Sequence, residues 1–392
     1  MFDYDYIIAG AGAAGLNLAH ALGRGGFDSA RVLLIDRDDK TSNDRTWCFW
    51  EAEENVLESI MHRSWVNLAF HGVGFSQVLR PQPYRYKMLR GIDFYEHMRG
   101  WLRAQSNMQM LRGEVAHIEE MADGQGAVVW VRERCFRARY VFNSLTPPLP
   151  TDVRHHNFLQ HFLGWVICAP RACFDPDVAT LMDFRIEQGG DTRFVYVLPL
   201  DERRALVEYT IFSEVLLPRD AYVAPLRRYV EQQFGLERYE IEHEEFGVIP
   251  MSDAPRVRRP SAHVMNIGVA GGASKPSTGY TFVRTQRQAV RIVDALHRSG
   301  VPFYTDSLSS RRFGVFDSTL LNVLTNRRIS GAQVFTELFR KNPAARIFRF
   351  LDEDTRIDED LRIMSSVHIP EFTRALGVVL KKKFQRDSGD AS

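Results

Sequence analysis

Three glycines near the start of the chain have the spacing of a phosphate-binding turn. Gly10, Gly12 and Gly15 form the pattern G-x-G-x-x-G directly after the apolar run Tyr4–Ala9. The first glycine permits a tight turn, the second lets a pyrophosphate approach the backbone, and the third lets a helix pack on the strand. The phosphate charge then lies at the positive end of the helix dipole. These residues predict the binding of a dinucleotide.

The elements that must position this turn are also present. Tyr4–Ala9 predicts a buried strand, an apolar pattern typical of a helix follows Gly15, and a second apolar run over Val32–Ile35 ends in Asp36. Asp36 has the spacing, about 20 residues after the turn, of a carboxylate that binds an adenosine ribose. A chance glycine cluster in a loop is the alternative, which the combination of elements disfavours. The motif does not distinguish FAD from NAD.

A second glycine-rich stretch lies between a predicted strand at 263–272 and a predicted helix at 280–299. Gly271 and Gly272 permit close approach of a ligand, and Gly279 precedes a helix N-terminus that could face an anion or a flavin ring. An ordinary glycine-rich turn is the alternative. Flavin hydroxylases often carry Gly-Asp-Ala here, and Gly272 replaces that Asp, which argues against a hydroxylase. No second G-x-G-x-x-G is present, which argues against a separate nicotinamide domain.

The composition is that of an ordinary globular protein. Of 392 residues, 45% are hydrophobic and 25% are charged, and the net charge of +1 gives no case for a nucleic-acid partner. Four scattered cysteines without a CxxC pair predict reduced thiols and no metal site. The sequence has no run of 18 or more apolar residues, and a strand begins close to Met1, so we expect neither a transmembrane helix nor a signal peptide. We expect a cytoplasmic protein, soluble or peripheral to a membrane.

The order of the elements predicts an α/β protein with an inserted antiparallel sheet and a helical C-terminus. We expect four segments: 1–155, the first part of a FAD-binding domain with inserted strands near 64–87; 156–245, a substrate-binding antiparallel sheet; 246–300, the second part of the FAD-binding domain; and 301–392, a helical region with a possible membrane contact.

Seven short stretches, taken together and in order, resemble the bacterial flavin-dependent lycopene β-cyclase family. They are Asn43–Trp50 (NDRTWCFW), Gln160–Ile167 (QHFLGWVI), Leu181–Arg185 (LMDFR), Leu206–Thr210 (LVEYT), Gly247–Asp253 (GVIPMSD), Lys275–Phe282 (KPSTGYTF) and Ile347–Glu353 (IFRFLDE). The resemblance implies a FAD-binding Rossmann-like fold of the flavin hydroxylase and geranylgeranyl reductase type. It also implies redox-neutral closure of the ψ end groups of lycopene to β-ionone rings, which gives γ-carotene and β-carotene.

The resemblance further implies FAD that is active in its reduced form, with NADPH as the reductant. The residues expected to bind FAD are Gly10, Gly12, Ala14, Gly15, Asp36, Arg45, Gly271, Gly272 and Gly279. The expected partners are lycopene or another acyclic carotenoid, a membrane surface, and other carotenoid-pathway enzymes. We expect peripheral association with the inner face of the cell membrane.

Ring closure of this kind begins with protonation of a terminal double bond, so the site needs a strong acid in a dry cavity. Glu208, in LVEYT, is our candidate, because apolar neighbours favour a neutral carboxyl and plant enzymes carry Glu-Glu-Thr in the matching region. A solvent-facing strand glutamate is the alternative. Asp183 and Arg185 share a strand face and are expected at the cavity rim or close enough to tune Glu208. A structural ion pair is the alternative for these two.

Aromatic faces attract cations, and a carbocation forms in this reaction. We expect the substrate to contact Trp47, Phe49, Trp165, Tyr196 and Tyr280, with Trp50 and Phe162 as further wall candidates. Core packing is the alternative for each of them. Residues 41–53, which supply three of these aromatics, are predicted to be a loop.

Two C-terminal segments mix basic and apolar residues. Val334–Leu351 and Gly377–Arg386 could therefore lie on an anionic membrane surface, and amphipathic helices packed on the core are the alternative. Two other function classes also stay open. The chain could be a FAD-dependent hydroxylase or a prenyl or carotenoid reductase that consumes NAD(P)H, or it could be a non-catalytic flavin- or carotenoid-binding protein.

Overall fold

The computed structural model describes residues 1–146, 152 and 154–389. The strands are β1 (Tyr4–Ala9), β2 (Val32–Asp36), β3 (Thr46–Glu51), β4 (Arg63–Trp65), β5 (Asn67–Gly72), β6 (Phe75–Leu79), β7 (Arg85–Arg90), β8 (Met108–Arg112), β9 (Val115–Glu120), β10 (Ala127–Val131), β11 (Arg134–Asn143), β12 (Asn157–Cys168), β13 (Val178–Asp183), β14 (Thr192–Pro199), β15 (Arg204–Ser213), β16 (Glu240–Ser252) and β17 (Val264–Asn266).

The helices alternate with these strands in the first two thirds of the chain and form the last third. They are α1 (Ala13–Arg24), α2 (Gly91–Arg103), α3 (Asp220–Phe234), α4 (Phe282–Ser299), α5 (Leu308–Thr325), α6 (Gly331–Lys341), α7 (Ala344–Leu351), α8 (Ile357–Ser366) and α9 (Ile369–Gly389). One turn of 3₁₀ helix covers Glu58–Ile60.

The first sheet carries the glycine turn. Its order is β8-β2-β1-β11-β10-β9, and β17 also pairs with β11. The strands β8, β2, β1, β11 and β17 run parallel, as βαβ connections require. Helices α1 and α4 cover one face, where Leu16, Leu22 and Ile292 are buried. The turn after β1 therefore lies at the carboxyl ends of parallel strands, where open α/β sheets bind their ligands.

The second sheet has the order β16-β12-β15-β14-β13-β5-β6, and within it only β13 and β5 are recorded as a parallel pair. Helix α3 packs on one face. Strands β5 and β6, which lie within the insertion predicted near 64–87, belong to this sheet, and β16 continues across the predicted boundary at residue 245. The four-segment division stays a prediction.

A third, small sheet, β3-β7-β4, corrects one expectation. Residues 46–51 form strand β3, which pairs antiparallel with β7, whereas we predicted a loop. The polar residues before it suggested a loop, but the aromatic run itself is strand-like. Phe49 and Trp50 are buried, and their burial in two hydrophobic clusters fixes β3 in place.

The two C-terminal segments that could contact a membrane differ in how far their side chains are buried. In Val334–Leu351 the large apolar side chains, including Phe335, Phe339 and Phe348, are buried in the core, so this segment follows the core-packing alternative. In the second segment Leu380, Lys381 and Lys382 are exposed, while the side chain of Lys383 lies outside the described residues. Within the described part of the chain no helix is long and apolar enough to cross a bilayer.

The close packing of α1 on the glycine turn gives a stability prediction. A Cβ atom at Gly15 would lie 2.0 Å from the carbonyl oxygen of Gly10, whereas a Cβ at Gly12 would have no atom within 4 Å. Gly15→Ala must displace backbone and should lower the free energy of unfolding by about 1–3 kcal/mol. Gly12→Ala is the matched control and should change it by less than about 1 kcal/mol. Urea unfolding measures both, and equal effects would contradict the packing described.

Candidate active site

A cavity of about 740 Å³ extends from the glycine turn to the antiparallel sheet. The end predicted to bind a nucleotide is lined by the β1–α1 turn and the end of β2. The far end is lined by β12, β14, β15 and β16, with β3 and β7 at the side. One space therefore joins the predicted cofactor site to the predicted acid.

At the nucleotide end the backbone has the conformation that the glycine pattern demands. Gly10 has φ +98°, and the Ser144 hydroxyl donates hydrogen bonds to the carbonyl oxygens of Ala9 (2.9 Å) and Gly10 (3.0 Å). Gly12 leaves open space beside the helix start, which is the room a pyrophosphate needs. Gly10 and Gly12 line the cavity, while Gly15 serves the packing of α1 on β1.

The other predicted cofactor residues of this end are Ala14, Asp36 and Arg45, and all three line the cavity. The Asp36 carboxylate accepts hydrogen bonds from the backbone N–H groups of Ala11 (2.6 Å) and Asp38 (2.8 Å). These bonds fix the carboxylate at the end of β2, where a ribose would lie.

The loop before α4 forms another part of the wall. Gly279 lines the cavity with φ +71°, and a Cβ there would lie 2.7 Å from Oε1 of Gln160. Among the described residues, Oε1 of Gln160 and Oγ1 of Thr278 are buried without a hydrogen-bond partner. Unpaired buried polar atoms on a cavity wall are expected where a polar ligand supplies the partner.

Gly271 and Gly272 do not line the cavity. A Cβ at Gly271 would lie 2.2 Å from the carbonyl oxygen of Asn266, and Gly272 has φ +80°. Both glycines therefore shape the turn after β17, and the structure gives them no direct place in the cavity wall.

Lys275 anchors this loop, a role that sequence analysis missed. Its side chain is 2% exposed, and its Nζ donates hydrogen bonds to Asp317 (3.1 Å) and Glu353 (3.2 Å). Arg284 binds the same Glu353 at 2.6 Å. A buried cation needs such partners, because an unpaired charge in the interior is costly. The motifs KPSTG and FLDE were the available signal, since each contains one of the paired residues.

Glu208 lies in β15 on the cavity face of the second sheet. Its partial exposure is to the cavity, and its Oε1 accepts a hydrogen bond from the Thr210 hydroxyl at 2.8 Å. Burial and the charge of Glu245 raise the pKa of Glu208 to about 8, although the Thr210 bond opposes the shift. The carboxyl group is therefore protonated at neutral pH, which is the form a proton donor needs.

A cluster of phenols and one thiol surrounds Glu208. Tyr196 lies directly opposite Glu208 on β14, and side-chain hydrogen bonds link Tyr280 to both Tyr86 and Tyr196. Burial raises the pKa of Tyr280 to about 12, and burial also raises the pKa of the Cys48 thiol, so both groups are neutral. Tyr86 and Cys48 are further wall residues that sequence analysis did not select.

Trp47 and Phe162 also line the cavity, so with Tyr196 and Tyr280 four of the aromatic candidates meet there. The others do not. Phe49 is buried against Phe282, with ring centroids 5.1 Å apart, between β3 and α4.

Trp165 also lies away from the cavity. It lies on the α3 face of the second sheet, where its Nε1 donates a hydrogen bond to Glu244 at 3.0 Å. Strand alternation explains this position: Phe162 faces the cavity, and Trp165, three residues along, faces the opposite side.

Asp183 and Arg185 also lie away from the cavity. Arg185 donates hydrogen bonds to both Asp183 oxygens, at 2.9 and 2.6 Å, and Tyr229 of α3 donates a third at 2.7 Å. Burial alone would raise the pKa of Asp183, but these hydrogen bonds and the Arg185 charge lower it. The contacts are those of the structural ion pair, joining the end of β13 to α3.

A sequence model described as "Lycopene cyclase protein" matches residues 5–376. A relative from Pantoea ananas, named lycopene beta-cyclase, is 28% identical over 292 residues, which is 71% of this chain and 71% of that protein. The family match over residues 5–376 includes the second sheet as well as the glycine turn, so it is not limited to a nucleotide-binding motif.

Solved structures share the fold at low sequence identity. A geranylgeranyl bacteriochlorophyll reductase-like protein from Thermoplasma acidophilum has a TM-score of 0.61 and 14% identity, covering 96% of this chain and 99% of that one. A probable FAD-dependent monooxygenase from Pseudomonas aeruginosa has a TM-score of 0.55 and 16% identity, covering 83% and 97%. The predicted fold class, that of flavin hydroxylases and geranylgeranyl reductases, is confirmed.

The environment of Glu208 gives a spectroscopic prediction. Infrared difference spectra should show a protonated carboxyl group at pH 7 that ionises as the pH rises through about 8. The signal should be absent from Glu208→Gln and present in Glu202→Gln, a control at an exposed position in the turn before β15. A wild-type spectrum without this signal at pH 7 would show that Glu208 is ionised and would contradict the assignment.

Proposed function

The chain belongs to the lycopene cyclase family, and from this premise we propose that it closes the ψ end groups of lycopene, or of another acyclic carotenoid, to β-ionone rings. The enzyme is thus an intramolecular lyase, and its products are γ-carotene and β-carotene. The observation that carries the proposal is the position of Glu208, whose carboxyl lies in the wall of a cavity that also reaches the glycine turn and has a raised pKa.

We propose FAD as the cofactor, because the cavity fits it in three respects. The turn at Gly10 and Gly12 leaves room for a pyrophosphate, Asp36 lies where a ribose would bind, and the unpaired Oε1 of Gln160 lies beside Gly279. Ala14 and Arg45 complete the nucleotide end. When bound in its reduced form, FAD would supply negative charge next to the reacting end group, and NADPH would serve only to reduce it.

Glu208 would protonate the terminal double bond of the end group. Protonation leaves a tertiary cation, the next suitably placed double bond attacks it, and loss of a proton completes the ring without net oxidation or reduction. The carboxyl can do this because its partners are one hydroxyl and neutral phenols, and the cavity wall shields it from bulk water.

The aromatic wall would stabilise the cation. Trp47, Phe162, Tyr196 and Tyr280 border the same space as Glu208, and each suitably oriented face contributes about 0.5–2 kcal/mol of cation–π attraction. These aromatic side chains are neutral, so they lower the energy of the cation through their ring faces and form no bond with it.

The fold alone also accommodates a hydroxylase or a carotenoid reductase, since its structural relatives include a monooxygenase and a reductase-like protein. Those reactions consume NAD(P)H in proportion to product, whereas a cyclase needs it only to prime FAD. The glycine at position 272, where flavin hydroxylases often carry Asp, supports the cyclase.

The proposal predicts the pigments of bacteria that accumulate lycopene. Expression of this chain should convert lycopene to γ-carotene or β-carotene, and Glu208→Gln should lower conversion at least ~100-fold because the proton donor is lost. Glu202→Gln should retain full conversion. Chromatography of the pigments, with flavin absorbance of each purified protein, makes the measurement. Persistent lycopene beside a soluble wild-type protein that carries FAD would contradict the cyclase, and an active Glu208→Gln would contradict the acid.

We also propose that the enzyme meets its substrate at the inner face of the cell membrane, because lycopene is a hydrocarbon that dissolves in bilayers. The exposed Leu380, Lys381 and Lys382 of α9 combine one apolar and two basic side chains. Other carotenoid-pathway enzymes at that surface would supply the acyclic substrate.

The membrane proposal predicts a loss of binding on charge reversal. Lys381→Glu with Lys382→Glu should weaken binding to vesicles that contain anionic lipid, since each basic residue near such a surface contributes about 1 kcal/mol. Arg103→Glu with Arg298→Glu, exposed at the ends of α2 and α4, makes the same charge change elsewhere. Sedimentation with vesicles measures both, and equal binding of the two variants would remove α9 from the proposal.

A further inference from the structure

Glu245 is a buried carboxyl in the cavity wall that neither the glycine pattern nor the acid assignment uses. It lies in β16, its side chain is 7% exposed, and it borders the same cavity as Glu208. Burial of a carboxyl is costly unless hydrogen bonds or charges compensate it, so its surroundings indicate what it does.

Glu208 and Glu245 lie in one row across three strands. Gly164 of β12 is directly opposite Glu208 of β15 on one side and directly opposite Glu245 of β16 on the other. Adjacent strands are about 4.8 Å apart, so the two glutamate backbones are separated by roughly 10 Å. All three positions face the cavity side of the sheet, because residues in one row share a face.

The residue between the two carboxylates has no side chain. A Cβ at Gly164 would lie 3.4 Å from both Cβ and Cγ of Glu208, and no atom of Glu245 is among its nearest neighbours. The Glu208 side chain therefore lies beside the glycine, and nothing on β12 stands between the carboxyl groups in this row. Because both side chains border one cavity and Glu245 is buried, the charge of one acts on the other with less screening than in water.

The two carboxyl groups have unequal partners. Burial raises the pKa of Glu245, but its Oε1 accepts a hydrogen bond from the backbone N–H of Thr46 at 2.8 Å, and this bond and the neighbouring His243 and Arg45 oppose the rise. Among the described residues, the hydrogen-bond partner of the Glu208 carboxyl is the hydroxyl of Thr210. Because their partners differ, the two carboxyl groups are expected to ionise at different pH values, as in other acid–base pairs.

We propose that Glu245 is a positioning residue for the acid: as the carboxyl with the better partners it ionises first and, across Gly164, keeps Glu208 protonated. The proposal rests on the function proposed above, because it assigns a role at the same site. Glu245 donates no proton to the substrate and forms no bond with it. Its negative charge makes ionisation of Glu208 less favourable, and it also holds the Arg45–Thr46 segment against the sheet.

The other groups around the pair do not supply this charge. Tyr196 faces Glu208 from β14, Cys48 from β3, and Tyr280 from the loop before α4. Burial raises the pKa of each of these three groups, so they stay neutral while Glu208 titrates. Tyr86 of β7, linked to Tyr280, is neutral for the same reason.

The remaining charged groups face Glu245 rather than Glu208. Arg45 lies beside the N-terminal end of β3, and His243 lies on β16 itself. The Arg45 guanidinium favours the ionised form of Glu245 against the effect of burial. The negative charge that acts on Glu208 therefore comes from Glu245.

The test measures how the cyclisation activity of the enzyme with reduced FAD bound depends on pH. Activity needs protonated Glu208, so it falls as the pH rises through the pKa of that group. Glu245→Gln removes a negative charge and lowers this pKa, so the alkaline limb should move to lower pH by about one unit. Activity lost at neutral pH should then return as the pH is lowered, which a merely structural defect would not produce.

Two matched variants accompany it. Glu244→Gln changes the neighbouring residue on the opposite face, where Glu244 binds Trp165 and Arg219, and should leave the limb in place. Glu245→Asp keeps the charge and should shift the limb far less than Gln does. The proposal would be overturned if Glu245→Gln left the alkaline limb of the pH profile unchanged, or if Glu244→Gln moved that limb by the same amount.

Infrared titration of Glu208 in the same variants, without substrate, separates this proposal from the proposed function. If the Glu208 signal ionises at lower pH in Glu245→Gln, the charge coupling holds even where no cyclisation is detected. If cyclisation occurs but the signal does not move, the function stands and the role of Glu245 falls. Should Glu245→Gln fail to fold, Glu245→Met, which removes the same charge with a side chain of similar length, takes its place in this titration.

Discussion

Protonation of a hydrocarbon double bond requires a carboxyl group that is neutral at the pH of the cell, and desolvation is the physical effect that provides it. An ionised carboxylate loses its hydration when it is enclosed, so a cavity wall that includes phenols, an indole and a thiol favours the protonated form of Glu208. Most features of the second sheet follow from this requirement.

In this fold the first and the second sheet border the same cavity, and each sheet supplies different chemical groups to it. Parallel strands and a glycine turn supply backbone N–H groups for an anion, and the antiparallel sheet supplies alternating side chains, one set for α3 and one for the cavity. The buried Lys275 ties the loop at Gly279 to the C-terminal helical region through Asp317 and Glu353. The glycine turn and Glu208 border one cavity.

Local signals in the sequence predicted the parts of the site that lie close together in the chain. The turn from Gly10 to Gly15 and the strand around Glu208 carry their own periodicity, and short motifs placed them in a family. Contacts between distant residues could not be predicted in this way. Thr46 meets Glu245 across 199 positions, and Lys275 meets Glu353 across 78.

The sequence also could not show which side chains of a strand that is buried on both faces point into the cavity. β12 is apolar on both faces, so periodicity does not say whether Phe162 or Trp165 points into the cavity. The same ambiguity applied to Val334–Leu351, where an apolar and basic pattern fits either a membrane surface or a core, and packing against the second sheet decided for the core. Spacing along β13 also did not show that Asp183 faces α3. There it accepts hydrogen bonds from Arg185 and Tyr229, so the two charged residues form a structural ion pair.

The central claim, that Glu208 transfers a proton from solvent to carbon without net redox change, is tested most directly by mass analysis of the product formed in D₂O. The enzyme with reduced FAD, given lycopene in vesicles, should yield a cyclic product with one deuterium in each new ring, no added oxygen and no stoichiometric loss of NADPH. A product that carries oxygen, that has gained two hydrogens at a double bond, or that contains no deuterium would contradict the account.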